Sequence, residues 1–303
     1  MNAGRWGTAG VLMLAAALGG CTVNVNTEGV TAQETHTFTV GGAPTVTLDT
    51  FDGSIQVHSW DRAEIEVVVE KQAQDDGLLQ QITVEKSQDG DHVTLRVQGP
   101  ARGGRDGIQI GVVYSPSARL RVAVPRTSTL DLRSGDGSIT IEDVSGAVNA
   151  RSADGSITGL RVAGDLRART DDGSIRLREV NGRVDVETID GSVVVEGVVT
   201  HLRAKSGDGS MRVTLEQGSA VAADWLIETD DGSVEVRLPK GLAAEVDAST
   251  GDGRIRSSYP GLDVPGRSDD DDRGDRRTLK ATLGGGGAVL RVRSGDGSIR
   301  FES

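Results

Sequence analysis

The chain has 303 residues, and its 45 acidic against 33 basic side chains give a formal charge of −12. A balance this negative repels polyphosphate and anionic headgroups, which argues against nucleic-acid binding and against electrostatic docking on a lipid surface. Glycine is abundant at 42 residues, aromatics are 3%, and no long helical period appears, so composition points to an all-β chain.

The first 20 residues stand apart. Arg5 supplies a positive start, Val11 to Leu18 an apolar run, and small residues lead to Cys21. This reads as a secretory signal peptide over 1–20, too short to span a bilayer. Leu18-Gly19-Gly20-Cys21 resembles a bacterial lipobox, in which the cysteine becomes the lipidated first residue of the mature protein. That resemblance implies a membrane anchor of acyl chains on Cys21 rather than a spanning helix. Cys21 is the only cysteine, so no internal disulfide is available. Residues 21–34 read as a polar tether. Thr22 stands where Gram-negative lipoproteins retained at the inner membrane usually have Asp, which points to the outer membrane or cell surface.

Residues 35–126 alternate less regularly. TVTLDTFDGSIQV (Thr45 to Val57) is followed by alternating runs at Ile65–Val69 and Ile82–Val97, with a short helix or loop expected between them at residues 72–81. This part reads as an irregular β cap, because the end of a repeat stack exposes strand edges and is built atypically.

From residue 127 to 303 the chain repeats. Nine Asp-Gly pairs share one pattern: Asp52-Gly53, Asp136-Gly137, Asp154-Gly155, Asp172-Gly173, Asp190-Gly191, Asp208-Gly209, Asp231-Gly232, Asp252-Gly253 and Asp296-Gly297. Five consecutive copies, Asp136 to Asp208, lie 18 residues apart. Apolar residues stand six and four before each Asp and three after it, as in Leu130, Leu132 and Ile139. Polar residues fill the positions between, which is the period of a strand with one dry face. Two before the Asp there is always Ser or Thr, as in Ser134, Thr170 and Thr188. Fixed-period repetition of this kind marks a stacked architecture. Eighteen residues are too few for a propeller blade, and the six-residue identity of a left-handed hexapeptide helix is missing. The expected fold is a β-solenoid of 18-residue Asp-Gly-Ser coils, a β-roll or a β-helix, with right-handed crossovers favoured.

The corners admit two readings. Gly accepts positive φ and Asp tolerates it, so Asp-Gly-Ser is turn chemistry. The other reading is a file of carboxylates for Ca²⁺, which prefers six to eight oxygens. One regular Asp per coil is meagre for that, so no metal or other cofactor is expected. Late spacings of 23, 21 and 44 residues imply inserted loops. The largest, an acidic insertion over 259–277, reads as disordered and contains Arg273-Gly274-Asp275, a tripeptide that chance explains in such a composition. Phe301 near the final residue marks an uncapped last coil that could self-assemble edge to edge. Gly284–Gly287 reads as a flexible loop.

No catalytic constellation emerges. His36, His58, His92 and His201 lie in four separate contexts, and neither a nucleophile elbow nor a phosphate loop is present. Outward charges at Arg133, Arg151, Arg167, Arg169, Arg176, Arg178, Asp185, Glu187 and Arg203 could line the long face of a β-helix polysaccharide lyase or hydrolase. Cross-strand charge pairing on a wet sheet accounts for them more simply.

Two stretches, TLDTFDGSIQVHSWDRAEIEVVVEK and VPRTSTLDLRSGDGSITIEDVSGAVNARSADGSI, resemble the bacterial β-strand repeats of domain of unknown function 4097, described as candidate adhesins. The likeness covers roughly residues 35–303 without the acidic insertion; Arg254 in place of Ser departs from it. It implies an extracytoplasmic, often membrane-anchored β-solenoid with no catalytic residue to carry over. The expected role is a non-catalytic envelope lipoprotein presenting a repeated polar face to a glycan, a wall polymer or another envelope protein. The carbohydrate-active enzyme and the self-assembling structural protein are its alternatives.

Overall fold

The computed structural model describes residues 29–100, 115–263 and 277–303. Cys21, the signal peptide and the Arg-Gly-Asp tripeptide lie outside these residues. The described chain is all-β apart from one helical turn.

The N-terminal part comprises β1 (Val30–Thr39), β2 (Thr45–Thr50), β3 (Ile55–Trp60), β4 (Glu64–Ala73), α1 (Asp76–Leu79), β5 (Thr83–Asp89), β6 (His92–Gln98) and β7 (Ser117–Pro125). Helix α1 is what the 72–81 stretch becomes. The Asp75 carboxylate caps it, accepting from the Leu78 N–H at 2.9 Å, and with no buried residue it stops after one turn. The tether expected to reach residue 34 is shorter, because β1 starts at Val30 and pairs antiparallel with β4 from Ala73 onwards.

The repeats follow as β8 (Thr129–Ser134), β9 (Ile139–Glu142), β10 (Val148–Ser152), β11 (Ile157–Leu160), β12 (Ala163–Thr170), β13 (Ile175–Thr188), β14 (Val193–Ser206), β15 (Met211–Leu215), β16 (Trp225–Thr229) and β17 (Val234–Arg237). They alternate between two parallel ladders joined at the Asp-Gly-Ser corners. On one, Leu130, Val148, Leu166, Val184 and Leu202 stand in register; on the other, Ile139, Ile157, Ile175, Val193 and Met211 do. All these side chains point inward and are buried. Each contributes about 1.5–3 kcal/mol by leaving water. A lone coil would leave its flanks wet, so this burial is realised only by stacking.

The first Asp-Gly copy belongs to the stack. β2 pairs with β8, and β3 with β9, across 78 intervening residues of sequence in each case. β6 covers the far edge of β2 and β7 that of β3, each parallel, and the antiparallel strands β5 and β4 cover these in turn.

At the opposite end, stack order departs from chain order. After β17 come β18 (Ala244–Thr250), β19 (Ile255–Ser257), β20 (Thr278–Leu283), β21 (Val289–Ser294) and β22 (Ile299–Glu302). β21 lies between β16 and β18, and β22 between β17 and β19. The last coil in sequence is therefore inserted, not appended. Gly284–Gly287 is the turn that allows it: positive φ at Gly284, Gly286 and Gly287 lets the chain pass from β20 over β18 to β21. The expected uncapped end at Phe301 is corrected accordingly. Phe301 is fully buried and its strand is paired on both sides. Tyr259 and Leu262, expected to open the disordered insertion, belong to the core instead, and the Tyr259 hydroxyl donates to the Pro239 carbonyl at 2.8 Å.

Candidate functional site

The corners form one edge of the stack. At all but the first, where Thr50 bonds to the Asp52 and Ala118 carbonyls, the Ser or Thr two before the Asp ties its own corner to the neighbouring coil. Thr188 accepts from the Gly191 N–H at 3.1 Å and donates to the Gly173 carbonyl of the neighbouring coil at 2.9 Å. Thr170, Ser206, Thr229 and Ser294 repeat the arrangement. Each hydroxyl thus bonds to a glycine carbonyl one level away, which explains how these side chains can be buried.

The corner glycines correct the turn argument. Among the nine, only Gly53 has positive φ. The others are glycine because the coils touch there: a Cβ on Gly155 would lie 2.2 Å from the Gly137 carbonyl oxygen. Positive φ falls on the second corner instead, at Asp143, Arg161 and Glu179. Their charges alternate up the stack. Arg161 grips Asp143 with two bonds of 2.6 and 2.9 Å, which holds the Asp143 carboxyl below its ordinary range.

The corner aspartates Asp136, Asp154, Asp172, Asp190, Asp208, Asp231, Asp252 and Asp296 are exposed, and Asp52 is half-buried. Among the described residues no group of three or more His, Cys, Asp or Glu side chains could hold a metal ion. The four histidines lie on β1, β3, β6 and β14, which keeps them apart in chain order and in the stack. His36 contacts Glu34 at 3.2 Å and Lys86 at 2.9 Å. His201 is half-buried on β14, and burial, reinforced by Arg183, lowers its pKa against the pull of Asp185 and Asp165.

The outward charges fall on two opposite faces. Arg133, Arg151, Arg167, Arg169, Asp185, Glu187 and Arg203 lie on one ladder, whereas Arg176 and Arg178 lie on the other. The single acid–base cluster expected of an enzyme therefore does not assemble. Charges on the first face pair across levels: Arg167 and Arg203 both reach Asp185, at 3.8 and 3.7 Å, and Lys205 meets Glu228 at 2.5 Å. Read level by level, Arg96 on β6 is followed by the positions three before the corner Asp, which run Asp49, Arg133, Arg151, Arg169, Glu187, Lys205, Glu228, Arg293 and, beyond them, the uncharged Ser249. Sequence reasoning misses this file, because its order depends on which coils are neighbours.

Residues 22–302 match the Toastrack DUF4097 family. The chain belongs to that family. Solved structures similar to this Toastrack chain include a candidate cell adhesion protein of Clostridium sporogenes, 13% identical, with 90% of this chain and 99% of that one covered and a TM-score of 0.24. A candidate adhesin of Bacteroides fragilis is 10% identical, with 89% and 97% covered and a TM-score of 0.42. A candidate lipid-binding protein of Parabacteroides distasonis is 12% identical, with 89% and 97% covered and a TM-score of 0.44. No curated protein matches the Toastrack chain.

Proposed function

We propose that this Toastrack chain is a non-catalytic interaction scaffold of the bacterial envelope, anchored by lipid on Cys21. Its coils wind as a right-handed β-solenoid and present two broad polar faces to a glycan, a wall polymer or another envelope protein. One observation carries the reading: the same outward polar positions recur level after level on two parallel ladders, with charges paired across several of the levels. Such a surface suits an extended partner better than a small substrate, which binds in a concave pocket with converging groups. The test is binding of the full-length chain, in detergent, to a panel of envelope glycans and wall polymers with and without Ca²⁺. Saturable binding without cleavage supports the scaffold. Product formation overturns it in favour of a carbohydrate-active enzyme, and a Ca²⁺ requirement reinstates the corner aspartates as ligands.

A further inference from the structure

The file that starts at Arg96 and ends at Arg293 alternates in sign at every step except the two that involve Arg151. An acid at that one position would complete the alternation over the whole file. Instead Arg151 stands in register between Arg133 and Arg169. Like charges directly opposite on neighbouring strands repel, so the arrangement costs stability. Its neighbours find partners: Arg133 reaches Asp131 at 2.8 Å and Arg169 reaches Glu187 at 3.4 Å. Asp131 also accepts from the Asn149 amide at 2.9 Å, so the nearest acid is engaged twice. Arg151 is exposed and has no ion pair among the described residues.

We propose that Arg133, Arg151 and Arg169 form a docking track for an acidic polysaccharide of the uronate type, lying along the stack axis. This rests on the scaffold reading above. The three arginines stand on successive strands, whose step is about 4.8 Å, close to the length of one sugar ring. A guanidinium presents a planar fork that matches a carboxylate with two hydrogen bonds. On a flat wet face a single small anion gains little, whereas a chain bearing carboxylates on successive sugars gains from each added contact. The net charge of −12 weighs against the approach of any polyanion, a polyuronate included, but at physiological ionic strength charges beyond about 8 Å are largely screened, so the local sign at the track decides contact. The track is one arginine wide at Arg133 and Arg151, has Arg167 beside Arg169, and is bordered by Asp49, Asp131 and Glu187, which disfavours the broad phosphate surface of a nucleic acid.

The experiment measures binding of the full chain to polygalacturonate, to neutral dextran and to single-stranded DNA. Arg151→Glu is compared with Arg178→Glu, which makes the same charge change at an exposed position on the opposite face. Polygalacturonate binding is expected to weaken about tenfold or more in Arg151→Glu and little in Arg178→Glu. The melting temperature of Arg151→Glu should be equal to or above that of the unaltered chain, which separates lost binding from lost fold. Equal effects of the two variants, or none from Arg151→Glu, overturn the track. Binding to dextran that ignores Arg151 leaves the scaffold reading standing and removes the track. DNA binding that depends on Arg151 replaces the uronate by a phosphate polymer and overturns the proposal. Silence towards every glycan overturns the track and the glycan-binding form of the scaffold together.

Discussion

At every Asp-Gly corner except that of Gly53, the glycine is held by its neighbour and not by its own dihedral angles. Alanine at Gly155 would push a methyl group into the Gly137 carbonyl, and backbone cannot rotate away as a side chain could. Gly155→Ala should cost about 3 kcal/mol or more, whereas Gly42→Ala, with nothing within 4 Å of its Cβ, should stay within about 0.5 kcal/mol. Denaturant melts of the two variants read this directly. Thr188→Val keeps the shape but strands the Gly191 N–H and the Gly173 carbonyl; a loss of about 1–3 kcal/mol is expected, and Thr188→Ser should recover most of it. His201 gives the pH dependence its sign. Its folded pKa lies below the ordinary value near 6.5, so the unfolded chain takes up the proton first. Stability from this group is complete above that value and falls as pH drops towards the folded pKa, with a slope of at most about 1.4 kcal/mol per pH unit. Partial exposure of the ring keeps the slope well under that ceiling. Urea midpoints at pH 7.5 and 6 should therefore differ in the parent chain and converge in His201→Gln.

The strands β21 and β22 enter between coils that precede them in the chain. Leu290, Val292, Ile299 and Phe301 complete the core at the level they occupy, and all four are fully buried. Phe301→Ala should cost about 3–5 kcal/mol, the range for emptying an aromatic site in a packed core. A thermal melt indistinguishable from the parent would mean that this coil sits on an open end after all. The bulges between β13 and β14 show the same tolerance on a smaller scale. Register slips from an offset of 18 at Leu177–Val195 to 17 at Val180–Gly197 and returns to 18 at Arg183–His201. The coil has no counterpart of Glu179, carries positive φ at Gly197 instead and regains a residue at Thr200, so the inward faces above and below stay matched.

The described residues hold no helix long and apolar enough to cross a membrane. The lipid anchor proposed above rests on the lipobox resemblance at Cys21. Cys21→Ala should move the protein from the membrane fraction to the soluble fraction of lysed cells, and detergent partitioning of the parent should show the acylated form. An unchanged distribution would remove the lipid anchor from the proposal. Paired carboxylates set the acid end of the stability curve. Asp247, bonded by Arg293 at 2.9 and 3.2 Å, and Glu34, where Lys71 and His36 outweigh burial, both have lowered pKa values. The stability they add is present above the usual carboxylate range and is lost as pH falls through their folded values.

Local chemistry carries much of this architecture, and local chemistry is legible in a sequence. Period-two alternation tells which side chains of Leu130-Asp131-Leu132 face inward, and Asp-Gly-Ser marks where the strand must turn. Those properties belong to a few consecutive residues and hold whatever lies beside them. Other features depend on which coil neighbours which: the glycine contacts, the acceptors of the corner hydroxyls, the burial of Phe301 and the unbroken run of Arg133, Arg151 and Arg169. Parallel strands are joined by backbone hydrogen bonds that every residue can make. No residue type announces that β21 belongs between β16 and β18, and only the packed core, by leaving one level empty without it, decides that order.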